Sequence, residues 1–228
     1  MSACQYFLPL AFGAFCGSIP FGFLVGRMRG VDVRREGSGN IGATNVARSA
    51  GPTFGVLVFF LDVAKGLAPV WVSGTLLFAG DGWSYHAVRA LCGAGAIAGH
   101  IWTPWLRFRG GKGVATSFGV FAALLGPWVL GAIAVWSLFA AVSKYVSLAS
   151  LAAAVSLPLF ALAQMRFTGD VQRGATTLLL SLAVMIVVFV RHRENIARLL
   201  AREEPRIGAR KRAPEAGSTE GENSCASQ

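Results

Sequence analysis

The chain has 228 residues, of which 54% are hydrophobic and only 14% charged, with a mean hydropathy of +0.56, a balance that excludes an ordinary water-soluble globular domain. A formal net charge of +10 would suit a nucleic-acid binder, but the basic residues fall in loops between long apolar runs, the pattern that orients a membrane protein. Cys4, Cys16, Cys92 and Cys225 lie far apart with no paired spacing, so they indicate neither a disulfide framework nor a metal site, and no metal or cofactor is expected.

The expected fold is all-α, a polytopic membrane bundle of about seven helices. A span needs about 20 apolar residues. Residues 5–26 have no basic start and no small-residue cleavage site, and read as a retained first span. Residues 53–78 are the second. A turn at Asp81, Gly82 and Ser84 precedes the third, residues 87–102, whose Gly93, Gly95 and Gly99 imply close helix packing. Residues 114–142 are one long helix or two short ones broken at Gly126-Pro127, and 146–164 and 175–190 complete the set.

Charge decides the ambiguous stretch. With two short helices, seventeen of the lysines and arginines share a side with the first polar loop and two face the other; with one long helix the division is ten against nine. The positive-inside rule therefore favours seven spans, N-terminus out and C-terminus in. Residues 1–204 form a single integral membrane domain, and 205–228, almost free of large apolar residues, a disordered cytoplasmic tail.

Three polar stretches then meet on the cytoplasmic face. The first, GSGNIGATNVARSAG from Gly37 to Gly51, carries four glycines, two asparagines and Arg48. Its GxGxxG spacing follows a membrane helix rather than a strand, so the dinucleotide reading fails. The anion-cradle chemistry remains, with Gly37, Gly39, Asn40 and Asn45 as candidate phosphate ligands. The second contains Gly110-Gly111-Lys112-Gly113 and then Thr116. It is not a Walker loop, yet glycine N–H groups, a lysine and a helix start make an anion site. A basic turn snorkelling at the headgroups is the alternative. The third, RHRENIARLLAREE, reads as a helix leaving the membrane. His192 and Asn195 share a face, and Arg191 with Asn195 and Glu194 with Arg198 are four apart. Flanking arginines would keep His192 neutral.

Within the spans, Asp62 and Lys65 are three apart and either pair with one another or serve the site directly. Ser147 and Ser150, after Lys144, touch phosphate or pack helices. His100 reads as a structural histidine, His86 as a surface residue, and Trp102 and Trp105 as an interfacial belt.

These residues resemble the bacterial membrane glycerol-3-phosphate acyltransferases that use acyl phosphate as donor. GSGNIGATNVAR, GHIWTPWLRFRGGKGVAT and RHRENIARL stand in that family's order, and the resemblance runs from the first span through Glu204. It implies that Ser38 and Arg48 are needed for activity, that the second motif's glycines and Lys112 bind glycerol 3-phosphate, that His192 and Asn195 serve the active site, and that Glu204 is structural. Arg109 replaces a usual lysine, and Arg202 stands where the family has glycine.

The implied reaction moves an acyl group from acyl phosphate to the sn-1 hydroxyl of glycerol 3-phosphate, giving lysophosphatidic acid and phosphate, the first acylation of phospholipid synthesis. No acyl-enzyme is required, so the site's task is positioning and neutralising two phosphates. Ser38 is expected to donate a hydrogen bond rather than attack, and either His192 or the departing phosphate takes the proton. Expected partners are acyl phosphate, glycerol 3-phosphate, membrane lipids and an upstream enzyme making the acyl phosphate, with no nucleic acid; the expected location is the bacterial inner membrane. The rival class is an anion or phosphate transporter, against which stand the gathering of polar loops on one face and the lack of an inverted repeat.

Overall fold

The structure is a computed structural model and describes residues 4–77 and 82–208. Of the expected tail, residues 209–228 lie outside the described residues, as does Asp81 of the expected turn. Among the described residues there are ten α-helices and no strand.

The first apolar run is broken. α1 (Cys4–Ser18) stops before Pro20, which has no N–H for the helical ladder, and α2 (Phe21–Met28) restarts. A short α3 (Ala43–Ser49) sits inside the first polar loop and docks on α4 (Pro52–Val72). α5 (Gly82–Ile101) lies closely along α1. A Cβ on Gly13, Gly95 or Gly99 would come within 1.9 to 2.2 Å of a carbonyl oxygen of the facing helix, so only glycine permits this approach. Then come α6 (Val114–Leu125), a tight turn at Gly126–Trp128, α7 (Val129–Ser143), α8 (Val146–Thr168), α9 (Val171–Arg191) and α10 (Arg193–Leu200).

By length and composition five stretches among the described residues can cross a membrane: Tyr6–Met28, Pro52–Thr75, Val114–Ser143, Val146–Thr168 and Val171–Arg191. α5 is not one of them, since His86, Arg89 and His100 dilute its hydropathy. Phe7, Leu8, Phe60, Leu130, Val142, Leu159 and Leu179 are more than 60% exposed. In water such a surface would aggregate; here it is the face that lipid covers.

Long-range hydrogen bonds sort the helix ends into two groups. At one end, Gly110 N–H reaches Ile101 O at the end of α5, Ile207 N–H reaches Lys144 O between α7 and α8, and Arg191 Nη2 at the end of α9 reaches Gly111 O. At the other end, the last carbonyls of α6 are capped by side chains from three helices. Arg173 Nε and Nη2 donate to Leu124 O at 3.0 and 2.7 Å, Gln164 Nε2 to Leu125 O at 3.0 Å, and Arg89 Nη2 to Ala123 O at 2.7 Å. Helix ends leave such carbonyls without partners, and hydrocarbon offers no water to satisfy them. α6 therefore leaves the first end and α7 returns to it.

Candidate active site

The first polar loop is organised by Asn45. Its Oδ1 accepts Ser38 N–H at 2.9 Å, and its Nδ2 donates to Val33 O at 2.8 Å and Glu36 O at 3.0 Å. Gly37 takes φ 59°, and a Cβ there would meet Asn45 Oδ1 at 2.3 Å, so glycine is required by the loop's own closure. The structure thus corrects the reading of Asn45 as a phosphate ligand, because its amide is buried and spent on backbone. Asn40 Oδ1 accepts Gly42 N–H, and Gly39 N–H goes to Glu36 O. Ser38 and Arg48 remain exposed at the loop's surface. Beneath it, Val25, Val33, Ile41, Val46 and Val58 share a small core with Leu106, which binds the first loop to the second.

The second loop also spends donors that the sequence left open. Gly110 N–H reaches Ile101 O at 3.0 Å and Gly111 N–H reaches His100 O at 3.1 Å, so neither is free for an anion. These glycines allow close approach instead: a Cβ on Gly111 would lie 2.0 Å from His100 Nε2. The open donors are the first-turn amides of α6, whose start at Gly113 carries no side-chain cap. Thr116 does not face that opening; it is wholly buried against Gly66, its hydroxyl without a hydrogen bond.

Lys112 and the third stretch meet directly. Lys112 Nζ donates to Asn195 Oδ1 across 83 residues of sequence. Asn195 Nδ2 donates to Glu204 Oε1 at 2.6 Å, and Arg198 Nε to Glu204 Oε2 at 2.8 Å. The lysine is held in place by an amide that a carboxylate holds in turn. Burial pushes the Lys112 ammonium down to about 8, against the pull of Glu204. The Glu204 carboxyl is buried, which opposes ionisation, but bonds from Asn195 and Arg198 outweigh this and hold it below the usual range. Arg48 joins the group from the first loop through a long 3.4 Å bond from Nη2 to Pro205 O.

His192 ends α9, and α10 starts only at Arg193, so 191 and 195 do not share one helix. Arg191 turns to Gly111 O instead, and Arg198 pairs with Glu204 rather than Glu194. The His192 ring is 2% exposed, and its Nδ1 lies 2.8 Å from Val188 O. Since a carbonyl only accepts, Nδ1 carries the proton and Nε2 keeps its lone pair. Burial, then Lys112, pushes this imidazole down to about 4. It is neutral as expected, but the flanking arginines are not the main cause.

Of the remaining candidates, Ser147 is buried on the Glu204 side of the network, its hydroxyl without a hydrogen bond, whereas Ser150 bonds to Val146 O and Trp136 Nε1 and serves packing. Asp62 and Lys65 form a buried ion pair at 2.7 Å, and Lys65 Nζ also reaches Ile19 O, satisfying a carbonyl at the α1–α2 break. His100 Nδ1 lies 3.7 Å from Asp62 Oδ1, which places the pair behind the second loop rather than in its opening. Sequence reasoning missed the segment after Glu204: Arg206 Nε reaches Tyr145 Oη at 3.1 Å and Ile207 N–H reaches Lys144 O at 2.8 Å. Its polar composition carried no signal of docking.

Residues 7–202 match the family model described as glycerol-3-phosphate acyltransferase. A glycerol-3-phosphate acyltransferase of Geobacter sulfurreducens is 45% identical over 193 residues, covering 85% of this chain and 93% of the relative. One of Prochlorococcus marinus is 38% identical, covering 89% and 94%. The solved structure of PlsY, an integral membrane glycerol 3-phosphate acyltransferase, in its glycerol 3-phosphate form superposes with a TM-score of 0.78 at 38% identity, over 89% of this chain and 96% of that one. Its lysophosphatidic acid form gives 0.76 at 37% identity, over 89% and 95%.

Proposed function

Because the chain belongs to the glycerol-3-phosphate acyltransferase family and is an integral membrane acyltransferase, we propose that it moves an acyl group from acyl phosphate to the sn-1 hydroxyl of glycerol 3-phosphate. The hydroxyl oxygen attacks the acyl carbon, the bond from that carbon to the bridging phosphate oxygen breaks, and lysophosphatidic acid and phosphate leave. The observation that carries this reading is the chain Lys112–Asn195–Glu204–Arg198, which holds one cation at the uncapped start of α6, with Arg48 bonded to Pro205, the residue after Glu204. Two cationic anchors match two phosphate-bearing substrates. A relative captured in both a glycerol 3-phosphate form and a lysophosphatidic acid form supports the acceptor and the product.

In this reading Lys112 and the first-turn amides of α6 hold the acceptor's phosphate. Arg48 exchanges its long bond to Pro205 for the donor's phosphate, and Ser38 hydrogen-bonds the donor. His192 Nε2 has the free lone pair to take the hydroxyl proton; the departing phosphate is the other acceptor. The shared end of α5, α6, α8 and α9 that bears the site faces the cytoplasm of the inner membrane in a seven-pass chain. What supports seven passes is the hairpin of α6 and α7, whose far end is capped by Arg89, Gln164 and Arg173 and whose near ends lie at Lys112 and Lys144.

The test is phosphate release by purified protein given palmitoyl phosphate and glycerol 3-phosphate, without coenzyme A, carrier protein or metal. Release that needs both substrates, yields lysophosphatidic acid, and falls about 10²-fold or more in Lys112→Ala and Arg48→Ala is the expected result. A folded protein that releases nothing, while its vesicles take up labelled phosphate, would make it a transporter.

A further inference from the structure

α10 ends by reversing direction. Arg202 N–H bonds to Leu199 O at 3.1 Å and Glu203 N–H to Arg198 O at 2.8 Å, with Arg202 at φ 61° between them. This paired-bond ending puts one residue in the left-handed region, where glycine sits without strain and a residue with a Cβ does not. Arg202 takes on that strain without packing in return, for its side chain is exposed and forms no hydrogen bond or ion pair among the described residues. Strain kept where nothing structural repays it points to a use for the side chain.

The use is visible in what surrounds it. Arg202 lines a cavity of about 610 Å³ together with Tyr145, Leu199, Glu204, Pro205 and Arg206. Arg206 is preorganised there: its Nε donates to Tyr145 Oη, and its guanidinium carbon lies 5.3 Å from that ring's centre, leaving its terminal N–H groups open. Glu204, the one carboxylate in the lining among the described residues, is already matched by Asn195 and Arg198. The cavity is therefore walled by two guanidiniums whose charge no lining group among the described residues cancels. Glu204 also separates it from Asn195 and Lys112, so its occupant would lie one side chain from the proposed acceptor site.

We propose that this cavity is a phosphate-binding forecourt, in which Arg202 and Arg206 grip a phosphate ester beside the Lys112 site. The ester is soluble glycerol 3-phosphate or the phosphodiester headgroup of an anionic lipid; only the first identity rests on the acyl-transfer reading. Such a site raises the local concentration of its anion and lowers KM without touching the chemical step.

The experiment compares the full-length native protein with Arg202→Gly, Arg202→Lys and Arg202→Gln in nanodiscs of phosphatidylcholine and in discs with added phosphatidylglycerol. It reads KM and kcat for glycerol 3-phosphate and the rise in melting temperature with inorganic phosphate. Arg202→Gly relieves the backbone and should melt higher, by roughly 2–4 °C, yet raise KM by roughly 3- to 10-fold at unchanged kcat. Arg202→Lys, strained but charged, should keep KM near native. A KM effect in both discs identifies the soluble ester. Loss of phosphatidylglycerol-dependent stabilisation in Arg202→Gly, with KM unchanged, identifies the headgroup. The proposal is overturned if Arg202→Gly and Arg202→Lys both behave as native in both discs, if Arg202→Lys loses as much as Arg202→Gly although it keeps the charge, or if Arg202→Gln, strained but uncharged, keeps the native behaviour, which would assign the glycine variant's effect to backbone. A native protein without turnover sinks the acyl-transfer reading, while a phosphate-induced melting rise that vanishes in Arg202→Gly keeps the forecourt.

Discussion

The charge on Lys112 is usable because it is neither bare nor neutralised. Its ammonium lies among Asn195, Glu204, Arg198 and Arg191, and burial brings its pKa down to about 8 from 10.5. The protonated form binds phosphate, so kcat/KM should fall as pH rises through about 8, and Lys112→Arg, charged to far higher pH, should remove that limb. A pH profile of the two proteins checks this; an unchanged limb in the arginine variant would assign it elsewhere. Stability runs the other way. Between about 8 and 10.5 the unfolded chain holds more protons at this residue, so the protein gains stability with rising pH while it loses activity. His192, down at about 4 from 6.5, adds a slope of the same sign at lower pH: stability declines as pH falls from 6.5 towards 4. The residue types at this site were readable in sequence, down to the neutral imidazole, but their partners were not. Asn45 has the same side chain as Asn195, and one braces a loop while the other holds the lysine.

At the scale of elements, the break at Gly126 decides the architecture. α6, a helix of twelve residues, ends with its last carbonyls stranded, and Arg173, Gln164 and Arg89 supply the missing donors. Replacing Arg173 by methionine deprives Leu124 O of two bonds and should cost about 1–3 kcal/mol. That would appear as a lower melting temperature in detergent, with kcat of the folded fraction unchanged because the site is at the opposite end. Lost turnover at an unaltered melting temperature would contradict the capping role. Proline after glycine announced the break in sequence. Its three caps, from residues 89, 164 and 173, follow no local pattern, and arginines near a membrane edge read equally well as topology signals.

For the whole molecule, the reading is seven passes with the polar loops inside. Single cysteines in a background where Cys4, Cys16, Cys92 and Cys225 are serine would locate the two ends. Arg166→Cys should react with an impermeant maleimide on intact cells, and Arg109→Cys only after the membrane is opened. The reverse labelling would invert the topology. The five stretches apolar enough to stand as spans by themselves do not include α5, which lies instead in close glycine contact with α1. A buried helix need not be as apolar as one facing lipid, because its polar residues find protein partners.

From sequence alone came the membrane class, the helical character, the three polar stretches and, through their motifs, the family. Hydropathy and charge add along contiguous residues, and a motif is contiguous by definition. Only the tertiary structure decided which polar groups remain available. It spent Gly110 and Gly111 N–H on the end of α5, buried Thr116, left Ser147 buried beside Glu204 without a hydrogen bond and Ser150 in packing, and docked Arg206 and Ile207 onto Tyr145 and Lys144. A hydrogen bond such as Lys112 to Asn195 depends on where helices distant in sequence come to rest, and that is set by packing of the whole bundle rather than by either residue's neighbours.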